Sequence, residues 1–158
     1  MGKNGTIMFT YQQEFLDTCL KDMDQLLKMH WDQIALNKDK IKLNPDFDAY
    51  KELENLGKLK MFTVRHDGNL VGYFVVLVGY NIHYKDHLFA QNDVIYVHPD
   101  YRKGSTGANL ISFAEKCLKE DGVSVLSINT KVHKPFDPLM ERLGFNLIER
   151  VYSKYLGD

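Results

Sequence analysis

Apolar residues recur at Phe15, Leu16, Cys19, Leu20, Met23, Leu26 and Leu27, a spacing of three and four that predicts an amphipathic helix over residues 13–30. A second, shorter helix is expected from Asp46 to Leu56, started by Asn44 and Pro45 and stopped by Gly57. The period then changes. "KLKMFTVRHDGNLVGYFVVLVGY" holds two β-rich runs around Asp67-Gly68-Asn69, a hairpin pattern. "HLFAQNDVIYVHP" reads as a third strand closed by Pro99. Gly107, Leu110, Ile111, Ala114, Cys117 and Leu118 mark one face of a further helix that ends at Asp121-Gly122. "VSVLSINT" reads as a strand, Pro135 and Pro138 open a short helix with Gly144 as its cap, and "FNLIERVYSKYL" reads as a last strand.

The strand–helix–strand unit around residue 104 must be parallel and right-handed, whereas the hairpin must be antiparallel. The expected fold class is therefore α/β (α+β), a mixed and mostly antiparallel sheet with helices on both faces. The 158 residues suit one domain with one core, so residues 1–158 are read as a single unit.

Composition narrows the function classes. Hydrophobic residues make up 44% and charged residues 26%, and the net charge of -1 argues against a strongly electrostatic nucleic-acid binder. Cys19 and Cys117 both fall on apolar helix faces, which fits buried thiols in a reducing cytoplasm better than a disulfide. No run approaches the roughly 18 apolar residues of a membrane span, and no signal-peptide core follows Met1. "MGKNGT" fits the loose N-myristoylation pattern through Gly2 and Thr6, but the pattern is short and no other feature suggests an anchor. His83 and His87 are four apart, in a loop-to-strand stretch without a third ligand, so no metal is expected.

The candidate chemistry lies in "VHPDYRKGSTGANLI", residues 97–111, where a strand ends and a helix begins across a basic turn with two glycines. A helix N-terminus presents unpaired N–H groups and partial positive charge, which makes it an anion site. Gly104 and Gly107 let backbone approach a ligand, and Arg102 and Lys103 add positive charge. The combination suits a pyrophosphate, although a tight turn with solvated basic residues would account for the glycines alone. A P-loop needs Gly-Lys-Ser/Thr in that order, and a dinucleotide fingerprint needs three spaced glycines; neither is present. "GSTG" also resembles the GxxG loop of KH domains, but that loop joins two helices.

"VHPDYR", the glycine turn and "ANLI" together resemble the acetyl-CoA signature of the GNAT superfamily of N-acetyltransferases, Arg/Gln-x-x-Gly-x-Gly/Ala after a Val-x-Pro strand end. "DGNLVGY" resembles the hairpin before the signature strand, and "MERLGF" resembles the family's Tyr-x-x-Leu-Gly-Phe. The element order agrees from Gln13 onward, and "MERLGF…VYSKYL" loosely resembles members encoded by bacteriophages and bacteria. Arg102 and Gly107 fit the motif; Ser105 stands where the first glycine usually sits, with Gly104 one position early.

The resemblance implies that the signature strand splays from its parallel neighbour and that the pantetheine arm pairs with exposed backbone at Ile95, Tyr96 and Val97. It implies that the pyrophosphate sits on the turn formed by Arg102, Lys103, Gly104, Ser105, Thr106 and Gly107, with Ala108 following. His133 falls where the family often has an Asn that contacts the cofactor arm.

Acetyl transfer to an amine requires a base for the amine, stabilisation of the oxyanion and, optionally, an acid for the thiolate. Asp93, early on the signature strand, is the first candidate base; capping a backbone N–H is its structural alternative. Glu149 and Glu141 are weaker candidates. The usual family acid, a Tyr four residues before the Gly-Phe pair, is replaced by Met140, which leaves Tyr152, Tyr155 and His133 as substitutes. His30 and Trp31 end the first helix, a region that often borders the acceptor site in the family.

The implied activity is transfer of acetyl from acetyl-CoA, as the acyl-donor substrate, to a primary amine in a ternary complex, by a monomer or homodimer without metal. Met140 and Ser105 keep open a non-catalytic acyl-CoA-binding or host-interaction protein on the same fold. A nucleic-acid binder using Arg102-Lys103 is more distant. The "NIHYKDHLFAQ" segment carries no pocket code, so polyamines, amino acids, protein termini, lysines and antibiotics all stand as acceptors.

Overall fold

Among the described residues five strands form one sheet in sequence order: β1 (Phe9–Glu14), β2 (Leu59–His66), β3 (Asn69–Asn81), β4 (Tyr84–Val97) and β5 (Val123–Ser127). The structure, a computed structural model, describes residues 8–157, so the myristoylation-like start lies outside the described residues. The first three pairings are antiparallel and β4 pairs β5 in parallel, as the hairpin and the crossover require. Asp67 and Gly68 both take positive φ (47° and 85°) between β2 and β3, the backbone of a tight two-residue hairpin turn.

Among the described residues four α-helices flank the sheet: α1 (Leu16–Ile34), α2 (Phe47–Asn55), α3 (Thr106–Glu120) and α4 (Asp137–Arg142). Buried positions on α1 are Leu16, Cys19, Met23, Leu26 and His30, steps of three and four that form one stripe. They pack with Met61, Tyr73, Val75 and Tyr96 on one face of the sheet, against which Tyr50 and Leu53 of α2 also pack. Leu110, Ile111, Ala114 and Leu118 of α3, with Met140 of α4, pack on Phe62, Val64, Phe74 and Val76 of the other face. Alternation along β2 and β3 thus feeds two cores, and the sheet is the mixed, mostly antiparallel one that the pattern predicts, with helices on both faces.

Three expectations are corrected. Residues 9–14 form an edge strand, and α1 starts only at Leu16. Most β1 side chains are exposed, so the segment carries no apolar alternation; its ladder to β2 and the Arg65–Glu14 pair (3.0 and 3.2 Å) hold it. The helix also runs one turn beyond His30, through polar Asp32 and Gln33.

The third correction is at the C-terminus, where residues 145–157 join no ladder. Leu147, Ile148, Val151, Tyr152 and Leu156 are exposed, so the apolar pattern that reads as a strand has no sheet edge to satisfy it.

Cys19 and Cys117 are free, and burial pushes the Cys19 thiol up to about 11. Among the described residues no helix is long and apolar enough to cross a membrane.

Candidate active site

β4 behaves as two different strands along its length. From Leu88 to Gln91 it pairs with β3 on one edge and with β5 on the other. The β5 ladder stops at Gln91↔Ser127, yet β4 continues to Val97 against β3 alone. Asn92 marks the fork: its Oδ1 accepts a hydrogen bond from the Asn129 backbone N–H at 2.7 Å, the last tie before the strands part. One edge of the backbone from 93 to 97 therefore has no strand partner among the described residues.

Asp93 is the extra residue of a β-bulge, because Val75 opposes Val94 while Val76 opposes Asn92. A bulge turns a side chain out of the regular alternation. Asp93 accepts a hydrogen bond from the Tyr50 hydroxyl of α2. Burial and that bond push the Tyr50 hydroxyl well above its ordinary range, so it stays a donor.

Beyond Val97 a single turn of 3₁₀ helix (Pro99–Tyr101) leads into the glycine turn. Gly104 has φ 95°, a left-handed conformation that a side chain would strain. Gly107 lies in the first turn of α3, where an added Cβ would meet only Leu139 Cδ2, at 3.8 Å. Packing therefore does not demand glycine there; the bare surface faces the gap.

That gap is a cavity of about 410 Å³. One wall is Ile95, Tyr96 and Val97; another is Gly104, Gly107, Ala108 and Ile111 of the turn and α3. α4 and the segment before it supply Lys134, Phe136, Leu139 and Arg142, and the end of α1 supplies His30, Gln33 and Ile34. Arg102, Lys134 and Arg142 give it three cationic side chains and no acidic one. Arg102 lies along the wall, donating from Nε to Val97 O (2.7 Å) and from Nη2 to Gln33 Oε1 (2.8 Å), with its guanidinium over the Tyr96 ring.

His30 sits at the cavity's edge and is only 5% exposed. Its Nδ1 is 3.0 Å from the Tyr73 hydroxyl, and its ring stacks on Tyr96 at 4.7 Å. Burial, followed by the charges of Arg102 and Lys131, lowers its pKa to about 4, so the ring is neutral at pH 7.

Of the residues singled out in the sequence, Ile95, Tyr96, Val97, Arg102, Gly104, Gly107 and Ala108 come together around this cavity. Lys103 and Ser105 lie exposed on the same turn, where Ser105 precedes α3 and its hydroxyl accepts from Asn109 Nδ2; Thr106 is buried. Asp93 stands farther along β4 beside Tyr50. His133 is exposed in the Lys131–Lys134 turn. Tyr152 is 90% exposed on the C-terminal segment, and Tyr155 lies under the Lys40 ammonium at 4.7 Å; neither lines the cavity. Met140 is buried in the core, while its neighbour Leu139 faces the gap.

Gln33, Tyr50, Lys134 and Arg142 escaped sequence reasoning. Gln33 is a polar residue past the apparent end of α1, and Lys134 reads as one surface lysine among many. Only Arg142, within "MERLGF", stood in a segment already singled out.

The chain matches the model of the Acetyltransferase (GNAT) family over residues 23–145. A search of curated proteins found no match. Among solved structures, a ribosomal-protein-alanine N-acetyltransferase from Brucella melitensis biovar Abortus 2308 superposes with a TM-score of 0.71 at 22% identity, covering 95% of this chain and 100% of that one. An aminoglycoside acetyltransferase from an uncultured soil metagenomic sample, in complex with trehalose, gives a TM-score of 0.74 at 14% identity over 94% of this chain and 95% of that one. A Clostridium acetobutylicum protein described as a predicted acetyltransferase with acetyl-CoA gives 0.69 at 11% identity over 94% and 97%. At these identities the likeness is one of fold.

Proposed function

The chain belongs to the GNAT family of acetyltransferases, and from that premise we propose that it transfers an acetyl group from acetyl-CoA to a primary amine. The observation that carries the reading is the fork between β4 and β5, which opens against a helix N-terminus and three cations. An open strand edge offers hydrogen bonds to the two amides of a pantetheine arm. The N–H groups at the start of α3, with Arg102, Lys134 and Arg142, suit a pyrophosphate. Lys103, Ser105 and Thr106 supply further backbone to that turn, and His133, next to the lining residue Lys134, is the remaining candidate for a contact to the arm. Arg102 would release Val97 O for the arm, exchanging a carbonyl and an amide partner for phosphate oxygens.

In the proposed reaction the amine nitrogen attacks the thioester carbonyl carbon, the C–S bond breaks, and the coenzyme leaves as thiolate while the amine gives up a proton. Asp93 is the proposed base. Tyr50 holds Oδ2 and leaves Oδ1 to accept that proton, directly or through water. The thiolate is a good leaving group, so a dedicated acid is dispensable; Tyr152 and Tyr155 remain the candidates if one acts. The similar structures include enzymes named for a ribosomal-protein alanine and for aminoglycosides, so an acceptor panel should contain peptide N-termini and aminoglycosides beside polyamines and lysine. The free thiols suit a reducing cytoplasm.

Acetyl-CoA at about 100 times its Kd should stabilise the fold by roughly 2.7 kcal/mol, a rise in Tm of about 5 to 10 °C. Coenzyme A release should then depend on an added amine. No melting shift and no calorimetric binding at millimolar acetyl-CoA would refute the reading. Met140, buried where the family acid would stand, favours one second reading, an acyl-CoA binder without turnover; binding with no coenzyme A release on any amine would establish it.

A further inference from the structure

His30 is a buried imidazole that the proposed reaction does not use. Its Nδ1 meets the Tyr73 hydroxyl at 3.0 Å. Tyr73 is fully buried in β3, and burial pushes its hydroxyl well above the ordinary range, so it keeps its proton. Among the described residues that hydroxyl has no other hydrogen-bond partner, so donating to Nδ1 is what satisfies it. The imidazole proton then resides on Nε2. Among the described residues Nε2 has no partner, and the only fully enclosed unpartnered side-chain polar atom is the Tyr96 hydroxyl. His30 lines the cavity, and with Nδ1 taken by Tyr73 its other nitrogen, Nε2, is the one left to meet a ligand there. Stacking on Tyr96 fixes the plane of the ring.

We propose that His30 is a ligand-binding residue whose Nε2–H donates to an amide carbonyl oxygen of the pantetheine arm, with Tyr73 as the positioning residue that fixes the proton. The inference rests on the acetyl-CoA reading above. The position along β4 selects the amide: His30 covers Tyr96, between the bulge at Asp93 and the Arg102 turn, so it faces the middle of the arm rather than its thioester or its phosphates. The groups facing the ring are Tyr73 of β3, Tyr96 of β4, Arg102 after β4 and Lys131 before α4; none supplies a negative charge that would keep the imidazole protonated. A neutral donor suits a carbonyl and gives a contribution that does not vary with pH above 5.5.

The test is calorimetric titration of the full chain with coenzyme A and with acetyl-CoA, for wild type, His30→Ala, His30→Gln, Tyr73→Phe and the double variant His30→Ala/Tyr73→Phe, each checked for folding by its melting curve. Wild-type binding must be seen first; its absence sinks the acetyl-CoA reading itself and the inference with it. Given that binding, His30→Ala should weaken both ligands about tenfold. His30→Gln, whose carboxamide N–H can reach the place of Nε2, should stay within about threefold of wild type. Tyr73→Phe should cost a similar factor alone and nothing more in the His30→Ala background. The ratio of His30→Ala to wild-type affinity should be constant from pH 5.5 to 8. Unchanged affinity in folded His30→Ala overturns the proposal. A loss confined to acetyl-CoA moves the donor to the thioester and overturns the amide assignment, and a ratio that grows below pH 6.5 overturns the neutral donor. Additive losses in the double variant overturn the role of Tyr73.

Discussion

The two halves of β4 share the β3 partner and differ in their other edge. Ala90, in the half paired on both edges, is 1% exposed and packs in the core beneath α3. Ile95 and Val97, in the half that has lost β5, line a cavity. A strand with both edges paired is finished as structure: each backbone N–H and C=O has a protein partner. The other half keeps its order from β3 and from side chains such as Tyr96, which is 5% exposed, and leaves one edge available. On the proposed reading, binding capacity comes from pairing withheld at a defined point, Asn92, and not from a flexible loop.

Substitutions should separate the halves, and the largest effect belongs at their junction. Asp93→Asn should lower kcat/KM at neutral pH by about 10²- to 10⁴-fold and leave acetyl-CoA affinity unchanged. An intact rate in steady-state assays would move the base elsewhere, with Glu149 next in line. Tyr155→Phe, on the exposed segment, should cost no more than about tenfold.

Gly107→Asp adds a carboxylate to the open side while its Cβ meets only Leu139 at 3.8 Å. Coenzyme A affinity should fall about a hundredfold or more through like-charge repulsion, with the melting temperature little changed. Gly107→Ala separates volume from charge: it should melt at or slightly above wild type, since its Cβ meets only Leu139 at 3.8 Å and alanine restricts the unfolded chain more than glycine does. A folded Gly107→Asp protein that binds coenzyme A normally would reduce the turn to structure.

Acid should weaken the open half through His30. With a pKa lowered from 6.5 to about 4, the folded state takes up this proton later than the unfolded state. Stability therefore falls as pH drops from about 6.5 towards 4, by about 3 kcal/mol across the whole window. Melting curves between pH 7 and 4.5 should show the slope in wild type and a flatter one in His30→Gln. An equal slope in both would place the acid sensitivity in other groups.

The smallest expected change is at the fork. Asn92→Ala removes the bond to the Asn129 N–H and should cost about 1 kcal/mol in denaturant unfolding. If the gap is held open by this tie, coenzyme A affinity should drop as well; an effect on stability alone would mean the fork persists without it.

The sequence carried the fold wherever burial imposed a period. The stripe Leu16–Cys19–Met23–Leu26 and the strands around Asp67-Gly68 are legible because one face of each is buried. β1 is an exposed edge strand with no such imprint, and residues 145–157 have an apolar pattern with nothing paired to it. The candidate site was legible where backbone geometry constrains residue type, at Gly104 with its positive φ and at Pro99, two residues after Val97. Tyr50, Gln33 and Lys134 reach the site through tertiary packing, which no local spacing records.

Hydrogen exchange with and without coenzyme A tests the division of β4 most directly. The account predicts that ligand slows exchange at amides within 94–97 and 102–107 and leaves residues 88–91 unchanged, because those are already paired on both sides. Saturating coenzyme A that protects neither stretch, or that protects only residues far from the fork, would contradict the claim that the parting of β4 and β5 is the binding site.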